Sequence, residues 1–167
     1  MKLPHTHFKP EIRGFTLLEV MIAMVIFSVG LLGLAGMQAR GLQSNTTAQF
    51  RTIATIQAYD MADRIRANPR GIADGDYDAM GINIPGAVNC FTANCTATQM
   101  ARLDHHEWNT NNGNVLPSGR GTVAGAGAGS RFTIIVMWDE DRTGALGTAC
   151  GANPNVDWKC YRLVFEP

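Results

Sequence analysis

The pattern of hydrophobic and polar residues changes near residue 40. Residues 15–39 form a run of 25 positions whose only charge is Glu19. As an α-helix, such a run spans about 37 Å, which exceeds the roughly 30 Å of a bilayer's hydrocarbon core. The pattern therefore predicts a membrane-spanning helix that carries one carboxylate close to its start.

The helical pattern continues beyond this run and becomes amphipathic. No proline occurs between Gln38 and Asn68. The sequence Asn68-Pro69 disfavours any continuation, because proline restricts the residue before it. We predict one unbroken helix from Phe15 to Asn68. Apolar side chains recur in its second half at three- and four-residue spacing: Ile53, Ala54, Ala58, Met61, Ala62 and Ile65.

The remaining residues, 69–167, predict a mixed α+β head. Residues 71–94 are rich in Gly, Asp, Asn and Pro, which predicts a loop with one short extended piece. Residues 96–109 predict a short helix capped by Thr96 or Thr98. We expect Asn111, Asn112 and Gly113 to end it.

Two strands are predicted at 131–138 and 157–166, where β-branched and aromatic residues are frequent. They can pair antiparallel around a turn at 139–144. The segment TVAGAGAGS, 122–130, predicts a flexible stretch. A phosphate-binding glycine loop needs a strand before it and a helix after it. Because a strand follows here, we expect no nucleotide site.

The distribution of charge predicts how the apolar run is oriented across the membrane. The chain has 14 basic and 14 acidic residues, so it has no basic footprint for nucleic acid. Its first fourteen residues nevertheless carry Lys2, Lys9 and Arg13 against Glu11 (3 − 1 = +2). Basic residues on the N-terminal side place that side in the cytoplasm. A cleaved secretory signal fits poorly, because the small residue Gly14 precedes the apolar core instead of following it.

The four cysteines, Cys90, Cys95, Cys150 and Cys160, all follow the apolar run. This topology places them in an oxidising compartment, where disulfides form. Of the three possible pairings we favour the local one, Cys90 with Cys95 and Cys150 with Cys160, because each pair brackets a short loop. Zinc is the alternative, although the spacings differ from the close CxxC pairs of zinc sites.

Several polar and glycine clusters have two interpretations. Gly30, Gly33 and Gly36 suit close packing between helices or a weakened segment that can bend. For His105, His106 and Glu107, a solvated helix surface is favoured over a metal site, because helical zinc sites place histidines four residues apart. For Asp139, Glu140 and Asp141, an exposed hairpin turn is favoured over a calcium loop. Asp60, Asp63, Arg64 and Arg66 predict either exposed ion pairs or a contact with another subunit. No catalytic constellation and no cofactor site is expected.

With its basic leader, the sequence RGFTLLEVMIAM at 13–24 resembles the processing signal of type IV pilins. The resemblance implies cleavage by prepilin peptidase between Gly14 and Phe15 and N-methylation of Phe15. It also implies that Glu19 pairs with the Phe15 amine of a neighbouring subunit in the filament. The implied fold is that of type IV pilins, a long N-terminal helix packed against a small antiparallel sheet.

A narrower resemblance is to the minor pilins of the PilV type, the pilus modification proteins. The segments that carry it are GLLGLAGMQARGLQSN (30–45), AYDMADRIRAN (58–68) and YRLVF (161–165). Many pilins have proline where this sequence has Gly36, so a proline kink is not implied there.

The resemblance organises the chain into four segments. Residues 1–14 are a leader peptide, 15–39 the transmembrane and assembly part of the helix, 40–68 its amphipathic continuation and 69–167 the head. The implied location is the inner membrane before assembly, with the N-terminus cytoplasmic and the head periplasmic, and the pilus at the cell surface afterwards.

The implied function is that of a minor pilin, not an enzyme, which enters or primes a type IV pilus used in twitching motility and adhesion. Its partners would be prepilin peptidase, other minor pilins, the major pilin and the inner-membrane assembly machinery. One alternative is a pseudopilin of a type II secretion system. Another, of a different class, is a membrane-anchored periplasmic enzyme.

Overall fold

The computed structural model describes residues 14–151, 153 and 155–167. The predicted leader, 1–14, lies outside the described residues except for Gly14. The chain divides into two compact units, Met1–Ser44 and Asn45–Pro167. The first helix contributes residues to both units.

The predicted α+β architecture, with a long N-terminal helix and a small antiparallel sheet, is confirmed. The four strands form one antiparallel sheet in the order β1-β2-β3-β4. The elements in chain order are α1 (Leu17–Ala67), α2 (Pro69–Ala73), β1 (Ala79–Met80), α3 (Ala97–Val115), β2 (Arg120–Ala124), β3 (Phe132–Trp138) and β4 (Lys159–Phe165).

Asn68 ends α1 and starts α2. Its backbone leaves the helical region, with φ −122° and ψ 66°, directly before Pro69. Its Oδ1 accepts a hydrogen bond from the Gly71 N–H at 3.1 Å, while its Nδ2 donates to the Ala97 carbonyl at 2.8 Å and to the Tyr77 hydroxyl at 3.0 Å. The predicted end of α1 is therefore within one residue, but the chain re-enters a helix at Pro69 before the loop begins.

Helix α3 begins at the predicted cap and ends later than predicted. Thr96 Oγ1 accepts from the Gln99 N–H at 3.2 Å, and Gln99 Oε1 accepts from the Thr96 N–H at 2.9 Å, which forms a capping box. The predicted end at 111–113 is wrong, because α3 continues to Val115. Asn109 is buried, and its amide group bonds to Gly121 of β2: Oδ1 accepts from the N–H at 2.6 Å and Nδ2 donates to the carbonyl at 3.0 Å. Since β2 satisfies this polar side chain, it does not break the helix.

The sheet contains one strand that the sequence analysis missed. Strand β2 includes the first residues of the glycine-rich segment, which is therefore the link between two antiparallel strands. The short extended piece expected in 71–94 is β1. The predicted antiparallel pairing of β3 with β4 is confirmed, with Ile134 opposite Leu163, but their connection runs through residues 139–158 and is longer than the predicted turn.

One face of the sheet packs on the second half of α1 and on α3. The buried side chains of these elements form one hydrophobic cluster. The cluster is formed by Ala54, Ala58, Met61, Ala62 and Ile65 of α1, Trp108 of α3, and Phe132, Ile134, Val136 and Trp138 of β3. The apolar residues predicted at three- and four-residue spacing in α1 thus form the helix face that packs in the core.

The connection 139–158 covers part of the opposite face. Met137 of β3 forms a second, smaller cluster there with Ala145 and Trp158. A disulfide between Cys150 and Cys160 ties this connection to β4, and a second one between Cys90 and Cys95 closes the loop before α3. These are the two local pairs that the spacing favours.

Candidate processing and assembly site

Gly14, Phe15 and Thr16 lead into α1 and belong to no helix or strand. All three are exposed, Phe15 with 83% of its surface accessible. A Cβ placed on Gly14 would meet no atom within 4 Å. The Gly14–Phe15 peptide bond therefore lies in an open, non-helical segment, the kind of backbone that proteases cut most readily.

Thr16 is the N-cap of α1. Its carbonyl accepts the first intrahelical bond, from the Val20 N–H at 3.3 Å, and its Oγ1 accepts from the Glu19 N–H at 3.2 Å. This cap was not predicted, although its T-x-x-E signature is present at 16–19.

Glu19 interacts with the N-terminus of its own helix. It lies in the first turn of α1, where the free N–H groups of the helix stabilise a carboxylate by about 0.3–1 kcal/mol. A role between subunits would be additional to this local one.

Every residue from 14 to 40 is exposed in the isolated chain. Leu32 has 73% of its surface accessible and Phe27 has 68%. Among the residues the structure describes, α1 is the one helix long and apolar enough to cross a membrane, by length and composition. An apolar surface of this extent marks a contact with lipid or with other protein chains.

The apolar half of α1 includes residues that do not interrupt it. The Ser28 hydroxyl donates to the Met24 carbonyl at 2.7 Å, so it is satisfied within the helix. Gly30, Gly33 and Gly36 are helical, and a Cβ on any of them would meet nothing within 4 Å. Both interpretations of their spacing, helix packing and bending, stay predictions.

In the head, Arg64 joins α1 to α3. Its Nε donates to Asp60 at 3.0 Å, and its Nη1 donates to Glu107 at 2.9 Å and to Asp104 at 3.3 Å. The Tyr77 hydroxyl donates to the other oxygen of Asp104 at 2.6 Å. The sequence spacing predicted the bond to Asp60, but it gave no signal for the two partners on α3. Arg64 therefore serves the packing of the head itself.

Tyr77 and Arg64 of this cluster stay protonated. Burial and the bond to Asp104 both raise the pKa of Tyr77, so its phenol remains a donor. Burial lowers the pKa of Arg64, but its bonds to Glu107 and Asp60 outweigh burial and raise it overall. The cluster is thus a structural tie between helices rather than an acid–base site.

The solvated surface predicted at His105, His106 and Glu107 is only partly present, because all three residues are half-buried. The His105 Nε2 bonds to the Gly81 carbonyl at 2.8 Å, and the His106 Nδ1 bonds to the Pro85 carbonyl at 2.7 Å. Because a carbonyl only accepts, each ring nitrogen is the donor. Burial lowers the pKa of His105, although its bond to Gly81 opposes this.

His105 and His106 hold the loop before α3. In the described part of the chain, no group of three His, Cys, Asp or Glu side chains could hold a metal ion. Two of the helix positions predicted as surface therefore contact the head's own loop, while Glu107 bonds to Arg64 of α1.

Asp139 is buried, although an exposed turn was predicted. Its Oδ2 accepts from the Gly144 N–H at 2.8 Å and its Oδ1 from the Thr143 N–H at 3.1 Å. Burial raises the pKa of Asp139, but these N–H donors outweigh burial and lower it overall. Since both oxygens face donors, the carboxylate closes a turn. The neighbouring Glu140 accepts a hydrogen bond from the Thr47 hydroxyl of α1.

The geometry defines a class of protein: a chain with an exposed apolar helix that lipid or other subunits cover, and with an α+β head held by disulfides. Residues 11–35 match the family model described as the prokaryotic N-terminal methylation motif, and residues 36–106 match the model described as the type IV pilin Tt1218. Over these residues the chain is similar to type IV pilins and carries the N-terminal methylation motif of prepilins. No curated protein and no solved structure matches it.

The two matches bear on the segment around Gly14, Phe15 and Glu19. The motif implies processing by prepilin peptidase and assembly with other pilins. The apolar helix fits a membrane anchor that later becomes part of a pilus. Pilins are structural proteins, which agrees with the expectation of a non-enzymatic role.

Proposed function

We propose that this chain is a type IV pilin and, more narrowly, a minor pilin of the PilV type, which enters a type IV pilus at low copy or primes its assembly together with other minor pilins. The narrower resemblance of residues 30–45, 58–68 and 161–165 supports this assignment. In this function the helix provides the assembly surface, and the head contacts neighbouring heads or external surfaces.

Processing removes the leader between Gly14 and Phe15, and Phe15 becomes the methylated N-terminus. The basic residues Lys2, Lys9 and Arg13 support a cytoplasmic leader. The head is then periplasmic, where its two disulfides can form.

Glu19 pairs with the Phe15 amine of a neighbouring subunit. One observation carries the proposal: residues 11–35 match the methylation motif, and Glu19 lies in the first turn of a wholly exposed apolar helix. An unpaired charge within a bilayer costs on the order of 2.5–3.5 kcal/mol. Cleavage creates a cation, the Phe15 α-amine, four residues before that carboxylate, and assembly can pair the two groups.

Mass spectrometry of the N-terminus tests processing. The chain is expressed with prepilin peptidase and with its pilus system, and is recovered from membranes and from sheared filaments. We expect a methylated Phe15 in both fractions, and an uncleaved chain when Gly14 is replaced by valine. An intact leader on the unaltered chain in both fractions contradicts the proposal and favours a simple membrane anchor.

Deletion of the gene separates the pilus from secretion. Loss of piliation or twitching, with normal protein export, is the expected result. Loss of export with intact pili contradicts the pilus assignment and makes the chain a pseudopilin of a type II secretion system.

A further inference from the structure

We infer that Thr16 is a positioning residue for processing: as the N-cap of α1, it holds the Gly14–Phe15 peptide bond outside the helix, where a peptidase can bind it. This inference rests on the proposed cleavage after Gly14. It adds a specific task for a residue that neither supplies a charge nor flanks the cut bond.

The atoms around Thr16 set the helix boundary. The first helical residue is Leu17. The Thr16 carbonyl accepts from Val20 at 3.3 Å, and its hydroxyl oxygen accepts from Glu19 at 3.2 Å. An N-cap residue has a non-helical backbone while its side chain replaces a missing intrahelical partner. The boundary therefore falls directly after Phe15.

The sequence before Thr16 offers a competing helix start. Pro10 and Glu11 are residue types favoured in a first helical turn. Ile12 and Arg13 are compatible with a helix, so Gly14 alone disfavours an extension toward the N-terminus. Besides Gly14, the Thr16 hydroxyl therefore favours the later start, because it caps the helix there.

An earlier start would hide the bond that is cut. In a helix, the backbone groups of Gly14 and Phe15 would be engaged in intrahelical bonds. Enzymes that bind an extended peptide use those same groups for their own hydrogen bonds. Processing should therefore depend on the hydrogen-bond acceptor at position 16 and not on the shape of the side chain.

Three substitutions separate the acceptor from the shape. Thr16→Val keeps the shape and removes the acceptor, Thr16→Asn changes the shape and keeps a strong cap, and Thr16→Ser keeps both the hydroxyl and the cap. Full-length protein in detergent is cleaved with purified prepilin peptidase, and kcat/KM is measured. We expect Ser and Asn within about two-fold of the unaltered chain, and Val reduced by roughly five-fold, the usual effect of losing a cap.

Amide hydrogen exchange of the uncleaved chain gives a second measurement. In Thr16→Val, the backbone amides of residues 15 and 16 should exchange more slowly than in the unaltered chain, because the helix then includes them. In Thr16→Asn they should exchange as in the unaltered chain. A processing defect without this change in exchange overturns the inference.

The kinetic outcomes also separate this inference from the proposed function. Val processed at the normal rate, or Asn as slow as Val, overturns the positioning role, and the second result means that the peptidase recognises the side chain itself. If the unaltered chain is not cleaved, the proposed processing fails. The exchange measurement then still decides whether Thr16 sets the helix start.

Discussion

Arg64 of α1 and Asp104 of α3 form an ion pair of 3.3 Å, although they lie 40 residues apart in the sequence. Asp104 is only 7% exposed, and its other oxygen accepts from the Tyr77 hydroxyl. This buried carboxylate therefore connects α1 and α3 with the segment that contains Tyr77.

Replacing Asp104 by asparagine should destabilise the head by about 1.5–3 kcal/mol, the range for a lost charged hydrogen bond. Thermal unfolding of the full chain in detergent, followed by circular dichroism, measures this. The control is Asp63→Asn, since Asp63 pairs with Arg66 but has 74% of its side chain exposed. That pair should contribute about 0–1 kcal/mol. An equal loss of stability in the two variants would show that the buried Asp104 contributes no more than an exposed ion pair.

Asp139 should make stability depend on pH. Burial raises its pKa, but the N–H groups of Gly144 and Thr143 bring it below its ordinary value. A folded-state pKa below the unfolded one means that the ionised carboxylate stabilises the fold above the unfolded pKa of about 3.9, and that this contribution is lost as pH falls below it.

The test compares Asp139→Asn with the unaltered chain over a pH series. At pH 7 the variant should have a Tm lower by a few degrees, because an amide nitrogen cannot accept the turn's N–H bonds. The difference should shrink below about pH 4. A difference that is constant with pH would mean that the carboxylate's charge is not involved. Asp141→Asn is the matched control, since Asp141 is exposed in the same loop.

Glu19 substitutions should separate the helix start from subunit pairing. Glutamine keeps an acceptor for a capping box but has no charge, whereas alanine lacks both. If Glu19 pairs with an amine, both variants should insert in the membrane and both should enter filaments roughly ten-fold less often.

Quantitative blotting of sheared filaments against membranes measures this incorporation. Normal incorporation of Glu19→Gln, with a defect only in Glu19→Ala, would contradict the ion pair and assign the effect to the helix start. Normal incorporation of both variants would remove any assembly role for the residue.

Gly121 should not tolerate a side chain. A Cβ at this position would overlap the buried ring of Trp108. Gly121→Ala should therefore cost about 1–3 kcal/mol through overpacking. Gly81→Ala serves as the control, because a Cβ there meets no atom within 4 Å. Urea unfolding of the full chain compares them, and similar midpoints would show that the ring moves aside without cost.

The sequence predicts those parts of the fold that repeat a local period. The apolar stripe of α1, the cap at Thr96 and the β-branched and aromatic residues of β3 and β4 each identify their element. Strand β2 could not be predicted in this way, because RGTVA has only one large apolar residue. Its extended conformation depends on its pairing with β3.

Long-range partners are the main part that the sequence does not reveal. The pairing of Asp60 with Arg64 follows from helical spacing, but Asp104 and Glu107 join it only when α3 packs on α1. The same holds for Asn112 and Asp139, which look like surface residues and are buried. The residues of the processing segment can be recognised from the sequence alone, because Gly14, Phe15 and Glu19 lie within one short motif.

The bond between Asn109 and Gly121 has a consequence for how position 109 can change. The amide group of Asn109 serves an N–H and a carbonyl of β2 at once. Aspartate and leucine lack the donor, and serine lacks the reach of a planar amide. Selection should therefore keep asparagine there while the surrounding surface diverges. An asparagine at this place in the third helix, followed twelve residues later by glycine, gives a search pattern for distant relatives whose overall similarity has been lost.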